Sequence, residues 1–205
     1  MDLTPIISVF VTFFVIIDPV AVAPLFVALT RGMDPARRRA AAVRSCLVAS
    51  GVLTVFGLFG ETLLLVAGIS LDAFRIAGGM LLFLIAVEML FERRTARRSN
   101  TTADGHDPSV FPIAVPLVAG PGAMATMVLL ATEPGADWAW VAAVHGVMLT
   151  VIAITFVLFL LGARLERLLG ANGINVLTRL FGILLAALAV QIVLDGLGGY
   201  GLAPV

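Results

Sequence analysis

The sequence predicts an all-α membrane protein of six transmembrane helices, arranged as a 3+3 inverted repeat in which helices 1 and 4 are broken. Three observations predict it. Hydrophobic residues make up 60% of the chain and charged residues 13%, with a mean hydropathy of +1.10, which excludes a soluble domain. Six apolar stretches, at about 5–30, 40–67, 71–92, 110–132, 138–162 and 175–198, reach the roughly 20 residues needed to cross a bilayer. A proline-broken segment occurs twice, half a chain apart. Its first copy runs Asp18-Pro19-Val20-Ala21-Val22-Ala23-Pro24 to Leu29-Thr30, and its second runs Gly120-Pro121-Gly122-Ala123-Met124-Ala125-Thr126 to Ala131-Thr132. An offset of 102 pairs Pro19 with Pro121, Ala21 with Ala123, Ala23 with Ala125 and Thr30 with Thr132.

The first span is too long for a removable signal peptide and lacks a small-residue cleavage site. It is followed by Arg31, Arg37, Arg38, Arg39 and Arg44 at the start of the second. The third is followed by Arg93, Arg94, Arg97 and Arg98, and the fifth by Arg164, Arg167 and Arg179. The loops after spans two and four, Gly68–Leu71 and Glu133–Asp137, carry no basic residue. The positive-inside rule then makes the arginine-rich loops cytoplasmic and puts both termini outside, with Trp138, Trp140 and Tyr200 at the outer interface. At an offset of 103, Gly79, Leu81, Leu82, Ala86 and Val87 of span three match Gly182, Leu184, Leu185, Ala189 and Val190 of span six. Three spans per half require the second half to insert upside down. The expected organisation is one transmembrane domain over 1–205: repeat one at 1–93, a polar cytoplasmic linker at 94–109, and repeat two at 110–205.

The breaks carry the chemistry. Pro19 and Pro121 lack an N–H and crowd the carbonyls of Val15 and Leu117, freeing carbonyls that hydrocarbon cannot hydrate. Asp-Pro and Gly-Pro also read as an N-cap followed by the first residue of a new half-helix. Asp18 can offer its own carboxylate to the amides after Pro19. Gly120 has no side chain, so the amides of Gly122 and Ala123 stay open to an external anion. A carboxylate docked there, with an ammonium or a proton at Asp18, would suit an amino-acid zwitterion. The alternatives are that Asp18 is only a buried cap and that Gly120–Gly122 only permits close packing. An aspartate at mid-membrane costs about 2.5–3.5 kcal/mol on insertion scales, which favours a role in a pathway. Two broken helices at matching positions in two halves point to a transporter's binding site.

Glu61 is expected to pair with Arg75, or to act beside Asp18 as a coupling residue. Gln191 stands in an otherwise apolar span six and is a candidate for interhelical bonding or substrate contact. His145, alone on an apolar helix, reads as a packed donor, and Gly78-Gly79 and Gly182 as sites of tight helix crossing. Cys46 is the only cysteine, and no metal-ligand spacing, phosphate loop or activated nucleophile occurs, so neither an enzyme nor a cofactor is expected. With 13 basic and 13 acidic residues there is no electrostatic case for nucleic acid.

Asp18-Pro19-Val20-Ala21-Val22-Ala23-Pro24-Leu25-Phe26 and Pro116-Leu117-Val118-Ala119-Gly120-Pro121-Gly122-Ala123 resemble the MarC family of bacterial inner-membrane proteins. So do Phe74-Arg75-Ile76-Ala77-Gly78-Gly79, Asn175-Val176-Leu177-Thr178-Arg179, Ala189-Val190-Gln191 and Leu194-Asp195-Gly196. The resemblance covers essentially the whole chain. It implies a six-span inner-membrane protein related to the LysE-type transporters, some relatives being regarded as transporters of small neutral amino acids. Where the family often has Gly and Asn, this chain has Ala21 and Val22, which removes a polar group beside the first break.

The expected function is secondary transport of small solutes, small neutral amino acids first, by alternating access at a mid-membrane site. The expected substrate-binding residues are Asp18, Pro19, Gly120, Pro121, Gly122, Ala123 and Gln191, with Asp18 and Glu61 as candidate proton-coupling residues and no metal. The expected partners are a small-molecule substrate and the lipid bilayer, and a homo-oligomer is compatible with the sequence. A small-ion or proton channel and a non-transporting membrane scaffold are the competing readings.

Overall fold

Four helix starts among the described residues are set by short polar side chains, Asp18, Asp34, Ser70 and Asp137, that take up the first free amides. The computed structural model describes residues 4–30, 32–91, 109–133 and 135–201, and every regular element among them is helical. Helices α1 (Thr4–Ile17) and α2 (Pro19–Leu29) are separated only by Asp18. Helix α3 (Pro35–Val66) starts at Asp34, whose Oδ1 accepts from the amides of Ala36 and Arg37 at 3.0 Å each. It ends at Gly68, whose φ of +69° lets Ile69 N reach Leu64 O at 2.9 Å and Gly68 N reach Leu65 O at 3.1 Å. Helix α4 (Leu71–Leu90) is capped by the Ser70 hydroxyl, which accepts from Ala73 N at 3.1 Å. Helix α5 (Ser109–Val118) is wound as a π-helix and is followed by α6 (Pro121–Ala131). Helix α7 (Trp138–Gly199) starts at Asp137, which accepts from Trp140 N at 2.8 Å, and breaks at Gly170 (φ 63°, ψ 169°).

Among the described residues five stretches are long and apolar enough to cross a membrane: Thr4–Leu29, which joins α1 and α2, then α3, α4, and the two arms of α7, Trp138–Gly162 and Asn172–Gly199. The stretch 110–132, expected as one broken span, holds the ten-residue α5 and the eleven-residue α6. Pro112 and Pro116 deprive α5 of two amide donors, and the widened turn that results ends with Ala119 N bonding five residues back to Ala114 O at 2.8 Å. Of the expected linker 94–109, only Ser109 lies within the described residues, and Arg93 lies outside them.

The surface is apolar where a soluble protein's would be charged. Val66 is 84% exposed and Leu65 72%, and the exposed faces of α4 and α7 carry Phe83, Leu84, Ile183 and Leu184. Apolar surface on this scale suits lipid and not water. Inside, the interfaces are built on small residues that let backbones approach. The most extensive of them lays α4 along the second arm of α7. A Cβ at Gly79 would stand 2.8 Å from the Ala189 carbonyl oxygen, and one at Gly182 would stand 3.2 Å from the Ala86 oxygen. Helix α3 packs on α5, α6 and α7, while α1 packs on α6 and α7.

The two ends of the bundle differ. At one end Ser70 Oγ lies 2.8 Å from Tyr200 OH, tying the start of α4 to the end of α7. At the opposite end the rings of Phe26 and Phe159 stack nearly parallel, 4.3 Å between centroids, and the Arg38 guanidinium stands 5.8 Å over Phe26.

Candidate functional site: two helix breaks and a charged cavity

At the first break Asp18 is fully buried and adopts the left-handed conformation (φ 51°, ψ 63°), the only residue other than glycine to do so among those described. Aspartate tolerates this region better than most residues because its short side chain bonds locally. Its amide closes α1 on Phe14 O at 3.0 Å, and its carbonyl opens α2 by accepting from Ala21 N and Val22 N at 3.1 and 3.0 Å. Its Oδ1 accepts from Ala21 N at 3.3 Å, so the carboxylate caps the new helix as expected. Pro19 follows it, buried.

At the second break Gly120 is extended (φ −78°, ψ 165°) and supplies no side-chain cap. Its carbonyl accepts from Met124 N at 3.0 Å. Gly120 is half-buried and Pro121 exposed, while Gly122 and Ala123 are buried. A Cβ at Gly122 would stand 2.8 Å from Ile85 Cδ1 and 2.9 Å from Leu82 Cδ2, so this glycine also admits α4 side chains against the first turn of α6. The two half-helices end alike. Thr30 Oγ1 donates to Phe26 O at 2.7 Å and Thr132 Oγ1 to Val128 O at 2.8 Å, the same bond at repeat-matched positions. Each half-helix is also approached by a glycine of a long helix: Gly60 of α3 meets Val128 of α6, and Gly162 of α7 meets Val27 and the Ala23 carbonyl of α2.

The remaining sequence candidates lie apart from the breaks. Gln191 is exposed on α7, and its Nε2 donates to Asp195 Oδ1 at 2.8 Å, within its own helix. Glu61 is exposed on α3. The expected Glu61–Arg75 pair does not form: Arg75 Nη1 lies 2.9 Å from Asp72 Oδ1. A partner one turn away on the same helix needs no second helix to close on it, and the principal contacts of α3 are with α5, α6 and α7. His145 Nδ1 lies 2.7 Å from Val141 O, the packed arrangement expected, with its Nε2 buried beside Gly57.

Sequence reasoning missed a cavity of about 380 Å³ at the Tyr200 end, between α1, α4, α6 and the second arm of α7. Its polar wall is Thr12, Arg75, Thr126, Glu133 and Asp195. Its apolar wall is Leu129, Leu130, Leu188 and Ile192. Thr126 lies one helical turn past Gly122, so the cavity runs alongside the second and third turns of the uncapped half-helix and not its first. Unlike Thr30, Thr132 and Thr155, which bond the carbonyl four residues back, buried Thr126 has no partner for its hydroxyl. The one signal in the sequence was the spacing of Leu188, Ile192 and Asp195, which shares a helix face; threonines in an apolar helix carry no such signal.

Comparison with known proteins supplies the family. Residues 3–200 match the model of the MarC family integral membrane proteins. The UPF0056 inner membrane protein YhgN of Escherichia coli is 38% identical over 94% of this chain and 95% of its own length. The UPF0056 membrane protein YvbG of Bacillus subtilis is 33% identical over 95% of this chain and 94% of its own length. A UPF0056 membrane protein of Methanocaldococcus jannaschii is 34% identical over 97% and 98%. No solved structure matches the chain. With a helical bundle clad in apolar side chains and a family match over nearly its whole length, the chain is an all-α integral membrane protein and belongs to the MarC family.

Proposed function

We propose that the chain is a secondary transporter of small solutes, with small neutral amino acids as its substrates, working by alternating access about a mid-membrane site. The observation that carries this reading is the pair of half-helices that start at repeat-matched positions, one capped by its own buried carboxylate and the other without a side-chain cap. The start of α6 receives the substrate carboxylate, where free amides and the helix dipole favour an anion. Asp18 binds the ammonium or carries a coupling proton. Half-helix ends at the centre of the membrane are the usual place for such a site.

Six crossings in a 3+3 inverted repeat fit this mechanism, with α5 and α6 together making the fourth. Support comes from the reciprocal contacts of Gly60 with α6 and Gly162 with α2, and from α1 packing on α6 while α2 touches α5. On this reading the Tyr200 end faces outward, as the arginine asymmetry favours, and the E. coli relative named as an inner membrane protein supports that membrane for the chain. The cavity then opens outward, and the Phe26–Phe159 stack under Arg38 closes the cytoplasmic side. Saturable uptake of labelled alanine or leucine into proteoliposomes tests this reading. Flux linear in concentration would indicate a channel, and no flux from folded protein a scaffold.

A further inference from the structure

The cavity at the Tyr200 end has a charge imbalance that the helix breaks do not explain. Arg75, the one cation among its described lining residues, is paired with Asp72 at 2.9 Å. Glu133 and Asp195 also line it, and among the described residues neither has a cationic partner; Asp195 accepts only the neutral amide of Gln191. Thr126, in the same wall, carries a buried hydroxyl with no partner. Both carboxylates, exposed and without a cationic partner among the described residues, can accept further hydrogen bonds, as can the Thr126 hydroxyl. The same cavity is lined by Leu188, Ile192, Leu129 and Leu130, an aliphatic surface.

We propose that this cavity is a binding site for small primary ammonium compounds with an aliphatic body. The ammonium lies between Asp195 and Glu133, and the aliphatic chain lies against Leu188 and Ile192. A volume of about 380 Å³ suits a ligand of leucine size or smaller. The site is distinct from the start of α6, and it binds whether or not any solute crosses the membrane. The ligand is recognised by its ammonium, so amines, amino-acid amides and amino acids all qualify, while the matching carboxylic acids do not. This ordering differs from that of the α6 terminus, which prefers an amino acid to its amide, so the failure of one assignment leaves the other standing.

Equilibrium binding to purified full-length protein in detergent tests the site, with isoamylamine, leucinamide, leucine and isovalerate as probes. Isoamylamine and leucinamide are expected to bind saturably and isovalerate not to compete. Asp195→Asn, which keeps the acceptor for Gln191, is expected to weaken isoamylamine binding about tenfold, and adding Glu133→Gln to abolish it. Leu188→Trp is expected to block the site by filling it while both carboxylates remain. Asp34→Asn, exposed at the start of α3 and still able to cap it, serves as a control for general charge and is expected to change nothing. The assignment is overturned if isoamylamine fails to bind the wild type, if isovalerate competes equally, or if the folded Asp195→Asn/Glu133→Gln protein binds as the wild type does.

Discussion

Gly79 and Gly182 abut each other's helix at matched carbonyls: Gly79 faces the oxygen of Ala189, seven residues past Gly182, and Gly182 faces the oxygen of Ala86, seven residues past Gly79. Two antiparallel helices related by a two-fold axis in the membrane plane require such reciprocity. The glycines that matched at an offset of 103 in the sequence therefore occupy equivalent places in one interface, which supports the inverted repeat. Gly79 is the tighter of the two, because its Cβ position lies 2.8 Å from a backbone oxygen that cannot swing away.

Gly79→Ala is accordingly expected to lower stability by about 1–3 kcal/mol through overpacking, and Gly182→Ala by less. Gly51→Ala, which has nothing within 4 Å, is expected to be neutral or slightly stabilising. Thermal melting of the three variants in detergent checks the ranking. Equal melting points for Gly79→Ala and Gly51→Ala would mean that the helices do not meet as described.

Gly122 separates packing from ligand binding. Its Cβ position is crowded by the flexible ends of Ile85 and Leu82, so Gly122→Ala is expected to destabilise modestly. Ile85→Val removes the nearer of those atoms, and in the double variant it is expected to recover part of the loss. Competition by leucine against leucinamide at the start of α6 then reports on the carboxylate without the steric cost. In the stability-rescued double variant, the acid is expected to outcompete the amide as it does in wild type.

Topology is checked by thiol labelling in a Cys46→Ser background. Ala36 is exposed at the start of α3 and Gly198 exposed near the end of α7, at opposite ends of the bundle. Ala36→Cys is expected to react with an impermeant reagent only from the cytoplasmic side, and Gly198→Cys only from outside. Labelling of both from one face would rule out the proposed orientation.

Much of this was legible because backbone chemistry is local. Proline after aspartate or glycine fixes a helix start whatever surrounds it, so Asp18 and Gly120 appeared as breaks, and Thr30 and Thr132 ended both half-helices. The π-wound α5 was not legible, because Pro112 and Pro116 announce lost hydrogen bonds without saying how the remaining ones rearrange. The partner of Arg75 was missed because two carboxylates lay within reach, and only the packing of α3 away from α4 decides between them. The cavity was invisible for a similar reason. Its walls come from four helices, and Thr12, Arg75, Thr126 and Asp195 are far apart in the chain. The left-handed backbone of Asp18 was also hidden, since a cap in the extended conformation would have the same sequence.

The central claim is that solute crosses at the paired breaks, and counterflow in proteoliposomes carrying wild type or Asp18→Asn tests it most directly. Asparagine caps a helix as well as aspartate and also tolerates the left-handed region, so the variant is expected to fold and to melt near the wild-type temperature. Wild-type vesicles preloaded with unlabelled alanine are expected to accumulate labelled alanine transiently, and Asp18→Asn vesicles are expected not to. Wild-type counterflow from the folded Asp18→Asn protein, or no counterflow of any neutral amino acid by the wild type, would contradict the account.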